Sequence, residues 1–227
     1  MDPATRSSQL LVDLRPGSQS SWPQQIHVTG GRLWFSADDG VHGRELYVSD
    51  GTRAGTRLVR DLWPGSTGSN PGGMIAVGKR VVFGATGAGR GIELYVSDWT
   101  RAGTGLLKEF VPGVGLDGVP QFFVADPTGP RVYFSAYTAT EGRELWITDG
   151  TPAGTRLVVD LVPGRVGSSP TLVRAMGTRI AFVAQGGTLY ASGGSASSTQ
   201  RLHAGPVFLT SSAVVGGRLV FNAWDST

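Results

Sequence analysis

Three glutamates recur at the same place in a repeated segment and are the first candidates for chemistry. Glu45, Glu93 and Glu144 each precede a leucine and an aromatic residue. A ring of such carboxylates could transfer protons or bind cations. Each glutamate also begins a predicted strand, where an arginine of a neighbouring repeat could pair with it. We expect structural pairing with arginine rather than a reactive site.

Three aspartates follow the glutamates at a fixed distance of five residues. Asp50, Asp98 and Asp149 each stand before Gly-Thr or Trp-Thr. An aspartate in such a position typically accepts hydrogen bonds from the amides of its own turn. The pattern therefore predicts turn caps, with a ligand site as the alternative.

Metal and thiol chemistry find little support in the sequence. The chain has no cysteine, which excludes thiolate nucleophiles and thiolate metal ligands. Residues 38–40 (Asp-Asp-Gly) resemble a fragment of a calcium loop, but the alternating acidic ladder and the distal glutamate are absent. The histidines lie at non-equivalent places in the repeat. The sequence predicts no metal, no other cofactor and no catalytic residue.

Two tryptophans are candidate ligand contacts. Trp63 and Trp99 fall in predicted turns, where an exposed indole could stack on a sugar ring. Trp34 and Trp146 fall inside apolar strand cores, and packing explains them. We therefore select Trp63 and Trp99 as the residues that could bind a carbohydrate or a protein ligand.

An internal repeat must position all of these residues. Its first marker, the Glu-Leu-aromatic segment, recurs at steps of 48 and 51 residues. A second marker ends in Pro-Gly and a third is an arginine that opens an apolar run. The third marker occurs five times, at Arg32, Arg80, Arg131, Arg179 and Arg218. Three markers in one fixed order indicate one structural unit that is repeated along the chain.

Each unit predicts four short strands joined by glycine-rich turns. The second and third strands are continuous apolar runs, as expected of strands that are covered on both faces. Four-stranded units of this length predict an all-β fold, a single β-propeller of four-stranded antiparallel blades. The predicted full blades cover about 21–62, 73–110, 119–161 and 171–203, and a partial fifth covers 206–223. An N-terminal outer strand over 9–14 is expected to close that fifth blade.

The signature residues closely resemble a bacterial repeat family, the ELWxxDGT repeat family. The resemblance covers about residues 2–206 and is carried best by the segment from Glu144 to Thr151. It implies a β-propeller in a bacterial, often exported or cell-surface, multi-repeat protein, and it supplies no catalytic residue. The departures are Trp99, which replaces the glycine of the turn, and a degenerate fourth unit.

Charge and hydropathy exclude further classes of function. The net charge is +3 and the basic residues form no run or stripe, so we expect no nucleic-acid partner. No apolar stretch is long enough to cross a bilayer, so no membrane span is predicted. The first residues do not resemble a signal peptide. Localisation stays open on the sequence alone.

Three classes of function remain. We favour a non-catalytic binding or interaction propeller that recognises a glycan, a peptide or a cell-surface partner. An enzyme with a site in the central channel and a structural repeat module of a larger protein are the alternatives. The predicted fifth blade lacks a third strand, and open strand edges recruit other chains, so self-association through that blade is also expected.

Overall fold

Antiparallel β-sheets dominate the computed structural model, which describes residues 8–113, 115 and 117–223. Four four-stranded sheets follow one another along the chain, and a two-stranded sheet follows them. The structure therefore confirms the all-β class. Sheet 1 consists of β1 (Gln24–Thr29), β2 (Arg32–Asp38), β3 (Arg44–Ser49) and β4 (Arg57–Arg60). Sheet 2 consists of β5 (Gly72–Val77), β6 (Arg80–Thr86), β7 (Ile92–Ser97) and β8 (Gly105–Lys108).

The later sheets have the same order of strands. Sheet 3 consists of β9 (Gln121–Ala125), β10 (Val132–Thr138), β11 (Gly142–Thr148) and β12 (Arg156–Val159). Sheet 4 consists of β13 (Thr171–Met176), β14 (Arg179–Ala184), β15 (Thr188–Ser192) and β16 (Gln200–His203), with one 3-10 turn at Ala196–Ser198. The final hairpin consists of β17 (Val207–Val215) and β18 (Arg218–Ala223).

The repeated sequence gives the same register in every four-stranded sheet. Equivalent pairs of the two middle strands are Trp34 with Val48, Val82 with Val96, Tyr133 with Ile147, and Ala181 with Ala191. Each strand pairs with its neighbour in the chain, as in a meander of hairpins. A one-residue slip would move every side chain to the other face, so the shared register means that equivalent residues have equivalent surroundings.

The core lies between successive sheets, which pack face to face. Trp34 of sheet 1 packs with Phe83 of sheet 2 in one cluster, and Val82 of sheet 2 packs with Phe134 of sheet 3 in the next. Two further clusters join sheet 3 to sheet 4 and sheet 4 to the final hairpin. Burial of both faces explains why the middle strands are continuous apolar runs. The arrangement is propeller-like.

The N-terminal segment differs from the prediction. Residues 8–14 are not a β-strand, although the sequence predicts an outer strand over 9–14. The sheet of β17 and β18 has two strands in the described part of the chain, so it offers no third strand to pair with this segment. Instead, Leu14 packs against Phe35 and Tyr47 of sheet 1, and Arg15 forms an ion pair with Asp38 at 2.6 Å.

Candidate functional site

The recurrent glutamates are completely buried, and none of them forms an ion pair with an arginine of the described residues, contrary to the prediction. Glu45 Oε1 accepts hydrogen bonds from the backbone amides of Trp63 at 3.2 Å and Ser69 at 2.8 Å. Its Oε2 accepts the hydroxyl proton of Ser69 at 2.6 Å. Glu45 thus binds the loop that leads from β4 to the next sheet.

The other two glutamates do the same work in their own units. Glu144 accepts from the amides of Val162 and Ser168 and from the Ser168 hydroxyl. Glu93 accepts from the amides of Phe110 and Val111 at 2.8 and 3.2 Å. Buried carboxylates are stable in proteins when such donors satisfy them, which explains why no arginine is needed.

Burial and hydrogen bonding act in opposite directions on these glutamates. Burial raises the pKa of Glu45, Glu93 and Glu144, and the hydrogen bonds from the loop oppose this effect only in part. A raised pKa on a carboxyl group is often a sign of a reactive site. Here the side chains have no exposed surface, and their hydrogen bonds hold the loops in place.

Two close backbone contacts hold the same loops against the sheets. A Cβ atom on Gly43 would lie 2.5 Å from the amide nitrogen of Gly68, and one on Gly142 would lie 2.4 Å from that of Gly167. Only glycine permits this approach of two main chains. The buried glutamate and the glycine pair together fix the connection between one sheet and the next.

The aspartates cap their turns. Asp50 Oδ1 accepts from the backbone amide of Thr52 at 2.9 Å and from its hydroxyl at 2.7 Å. Asp98 and Asp149 make the same pair of contacts with the threonines two residues later. These hydrogen bonds, led by the threonine hydroxyl, lower the pKa of all three carboxyl groups. The contacts are those that the turn-cap interpretation expects.

The acidic loop of sheet 1 is saturated by its own donors. Asp39 Oδ1 accepts from the amides of Val41 and His42, and Oδ2 meets His42 Nδ1 at 2.7 Å and the Tyr47 hydroxyl at 2.9 Å. Burial alone would raise the pKa of Asp39, but these hydrogen bonds lower it well below its usual range. The contact with Asp39 raises the pKa of His42. Within the described residues, no group of three or more metal-ligating side chains occurs.

Trp63 and Trp99 lie at opposite ends of the strands. Trp63 follows β4, close to the start of β3, because its amide binds Glu45. Trp99 follows the far end of β7. β3 and β7 are equivalent strands of neighbouring sheets, and Trp63 lies near the start of one while Trp99 lies beyond the end of the other. These two positions therefore cannot share one site. Trp99 lines a cleft.

The indole of Trp99 bridges sheets 1 and 2. It packs on Trp34 with ring centroids 4.4 Å apart, and its Nε1 donates to the carbonyl oxygen of Lys79 at 3.0 Å. The backbone of Trp99 has φ +82°, the left-handed conformation that favours glycine. Gly51 and Gly150 adopt the same conformation at the equivalent positions, so Trp99 is strained where its equivalents are not.

A cleft of about 500 Å³ surrounds this indole. Its charged lining residues are Arg32, Arg57, Lys79 and Asp98. The volume lies within the ordinary range for small-molecule sites, about 300–1,000 Å³. The lining comes from the β1–β2 turn and the start of β4 in sheet 1, and from the β5–β6 and β7–β8 turns in sheet 2. The cleft therefore depends on how the two sheets pack.

The cleft carries an excess of positive charge. The guanidinium carbon of Arg32 lies 5.1 Å from the centroid of the Trp99 ring, in a cation–π contact. Arg57 donates to the carbonyl oxygen of Trp99 at 2.8 Å. Arg32, Arg57 and Lys79 are all exposed, and none of them is in an ion pair within the described part of the chain. Among the charged residues that line the cleft, three are cations and one, Asp98, is a carboxylate, and Asp50 also lies within electrostatic range of Arg32.

Sequence reasoning selected Trp99 but missed its cationic neighbours. Arg32 and Lys79 stand beside the β1–β2 and β5–β6 turns, and Arg57 begins β4. Arginine occurs at the equivalent of Arg32 in every unit, so nothing in the sequence marks this copy as different. The usable signal was Trp99 itself, since it stands where the other three four-stranded units have glycine, at Gly51, Gly150 and Gly194.

Comparisons with known proteins extend only to the fold. No protein-family model and no curated protein matches the chain. Among solved structures, the computationally designed Ika8 protein is similar with a TM-score of 0.50 at 18% identity, over 95% of this chain and 59% of that one. The chain thus spans less than two thirds of the length of the designed protein.

Two natural proteins have lower similarity. A chain of a nidogen/laminin complex has a TM-score of 0.46 at 13% identity, over 86% of this chain and 68% of that one. A chain from a study of two prolyl endopeptidases has a TM-score of 0.40 at 13% identity, over 90% and 40% of the two chains. In the described residues, no helix is long and apolar enough to cross a bilayer.

Proposed function

We propose that the chain is a non-catalytic binding module in which the four sheets are blades of a propeller and the final hairpin is part of a fifth. The ligand occupies the cleft around Trp99, and it is an acidic glycan. The face-to-face packing of repeated four-stranded sheets supports the propeller architecture. The residues that line the cleft support an acidic glycan as the ligand.

One observation carries the proposal: a strained tryptophan and three exposed cations line the same cleft. A left-handed conformation costs a residue other than glycine about 1–2 kcal/mol. Packing of Trp99 on Trp34 offsets part of that cost, and a role in binding accounts for a large, half-buried side chain at this turn.

The chemistry of the lining matches an anionic sugar. The guanidinium groups of Arg32 and Arg57 can each bind a carboxylate or a sulfate group through paired hydrogen bonds. Lys79 adds a third positive charge, while the uncovered part of the Trp99 indole offers an apolar surface to a sugar ring. Neutral glycans would use the indole and leave the cations without a partner.

The site is single, although the fold repeats. Glycine occupies the equivalent of Trp99 in sheets 1, 3 and 4, at Gly51, Gly150 and Gly194, and a Cβ atom on Gly150 would already lie 3.0 Å from Val77 Cγ1. The repeat therefore does not create several equal sites. We expect one ligand molecule per chain.

Calorimetric titration with acidic and neutral oligosaccharides of equal length tests the proposal. The wild type should bind a glucuronate-containing or sulfated oligosaccharide and not the neutral one, and affinity should fall as salt is added. Trp99→Gly restores the residue of the other turns and should keep the fold while it weakens binding at least tenfold. Arg32→Gln should also weaken binding.

Matched controls separate the cleft from general charge. Arg165→Gln removes an exposed arginine from the loop after β12, far from the cleft, and should bind as the wild type does. Trp63→Ala changes the other candidate tryptophan and should also leave affinity unchanged. Equal binding of the neutral oligosaccharide, or equal loss in Arg165→Gln, would contradict the proposal.

A further inference from the structure

The two ends of the series of sheets expose apolar side chains, and three of these, Ile26, Val215 and Val220, have buried equivalents in sheet 2. We call the surface of sheet 1 that points away from sheet 2 the leading face, and define it by Ile26 and Val28. They are 65% and 67% exposed. The equivalent of Ile26 in sheet 2 is Met74, which is buried against sheet 1.

The final hairpin has the opposite surface open. We call its surface that points away from sheet 4 the trailing face, and define it by Val215 and Val220, which are 67% and 60% exposed. Their equivalents in sheet 2 are Val77 and Val82, which are 3% and 0% exposed because sheet 3 covers them. The trailing face is therefore a surface of the kind that the next sheet covers elsewhere.

The open parts of the two faces lie on inner strands, on β1 in the leading face and on β17 and β18 in the trailing face. The outer part of the leading face is already covered, because Leu14 packs against Phe35 and Tyr47. What stays open is the inner part, on β1. The hairpin likewise consists of only the inner two strands of a unit. Inside the chain, inner strands contact each other from sheet to sheet: β1 with β5, β5 with β9, β9 with β13, and β13 with β17.

We propose that a second copy of this chain binds head to tail, with its leading face on the trailing face of the first. The contact of β17 with the partner's β1 would continue the series of inner-strand contacts already present in each chain. Both faces are exposed in the same chain, so a chain does not cover one with the other. The two surfaces are different, which makes the interface heterologous and lets it propagate or close into a ring.

Sedimentation velocity over a range of concentrations tests this proposal. The wild type should associate with rising concentration. Val28→Lys places a charge on the leading face and Val215→Lys places one on the trailing face, and each should raise the dissociation constant at least tenfold. Val166→Lys changes a valine that is 81% exposed, more than Val28 or Val215, in the loop after β12, and it should associate as the wild type does.

Mixing the two variants is the decisive experiment. A Val28→Lys chain keeps its trailing face and a Val215→Lys chain keeps its leading face, so an equimolar mixture should form a 1:1 dimer and nothing larger, because the remaining two faces carry lysines that repel each other. Circular dichroism of each variant checks that it is folded, and Ile26→Lys replaces Val28→Lys if it is not. A wild type that stays monomeric, or a mixture with no dimer, would overturn the proposal. Unchanged association of Val28→Lys would do the same.

Discussion

Replacement of Glu144 by alanine tests whether the buried glutamates hold the loops between sheets. The substitution leaves the buried amide of Ser168 and the partly buried amide of Val162 without an acceptor. An unsatisfied buried donor costs about 1–3 kcal/mol, so we expect a loss of about 1–3 kcal/mol from Ser168 and a smaller loss from Val162. The Ser168 hydroxyl can rotate toward another acceptor and is left out of this sum.

Glu144→Gln should be far milder. Its carbonyl oxygen can still accept from both amides, and its amino group can donate to the Ser168 oxygen once that hydroxyl has rotated. We expect a change within about 1 kcal/mol for Glu144→Gln. Glu109→Ala is the matched control, because it removes a carboxylate whose ion pair with Arg90 at 3.1 Å is partly exposed, and should cost at most about 1 kcal/mol.

Urea unfolding followed by tryptophan fluorescence measures these differences as shifts of the midpoint at constant slope. If Glu144→Ala does not fold, Ser168→Ala removes one donor only and should give a smaller loss. An equal cost for Glu144→Ala and Glu109→Ala would refute the reasoning.

The pH dependence gives an independent check of the same residue. Because burial raises the pKa of Glu144 above its usual value near 4.5, the folded state holds the proton more tightly than the unfolded state does. Stability from this group is therefore present at low pH and lost as pH rises from about 4.5 through the raised pKa. Glu144→Gln cannot titrate, so the wild type should lose stability relative to it over that window.

Three further predictions concern other parts of the repeat. Asp149→Ala removes a turn cap and should cost about 0.5–2 kcal/mol in urea unfolding while it leaves glycan affinity intact; lost binding at normal stability would instead place Asp149 in a site. Gly142→Ala forces a Cβ atom against the Gly167 main chain and should destabilise by more than Gly186→Ala, which has a similar positive φ of +71° but open space around it; equal losses would argue against the close contact. Because Asp39 raises the pKa of His42 above its usual value near 6.5, the ion pair stabilises the fold below that pH and loses its effect as pH rises through the raised pKa. The midpoint difference between wild type and His42→Asn should thus shrink from pH 6 to pH 9, and a constant difference would contradict the ion pair.

Local features of the fold could be predicted from the sequence. The turn caps of Asp50 and Asp149 use donors only two residues away, so the residue types at that spacing are sufficient to predict them. The hairpins are equally local, since each strand pairs with its neighbour in the chain. The shared register of the sheets follows from the repeated apolar pattern, because a slip would expose the core residues.

Contacts between units required the tertiary structure. The partner of Glu45 is a serine 24 residues later, and a serine stands at the same distance from Glu144. That spacing was visible in the sequence. The sequence alone did not show that this serine is the partner, because an arginine of a neighbouring repeat could also pair with the carboxylate. Only the tertiary structure shows that the loop places its backbone amides against Glu45.

The sequence by itself determined the class of fold, the repeated unit and the turns, because these depend on interactions between residues close in the chain. The tertiary structure decided which tryptophan lines a cleft and which cations surround it. Trp99 meets Arg32 and Arg57, which lie many residues away in sheet 1, only because sheet 2 packs on sheet 1. It also decided that residues 8–14 form no strand and that Leu14 packs on sheet 1, since a strand needs a neighbour with free hydrogen-bonding groups and the final hairpin supplies no third strand within the described residues.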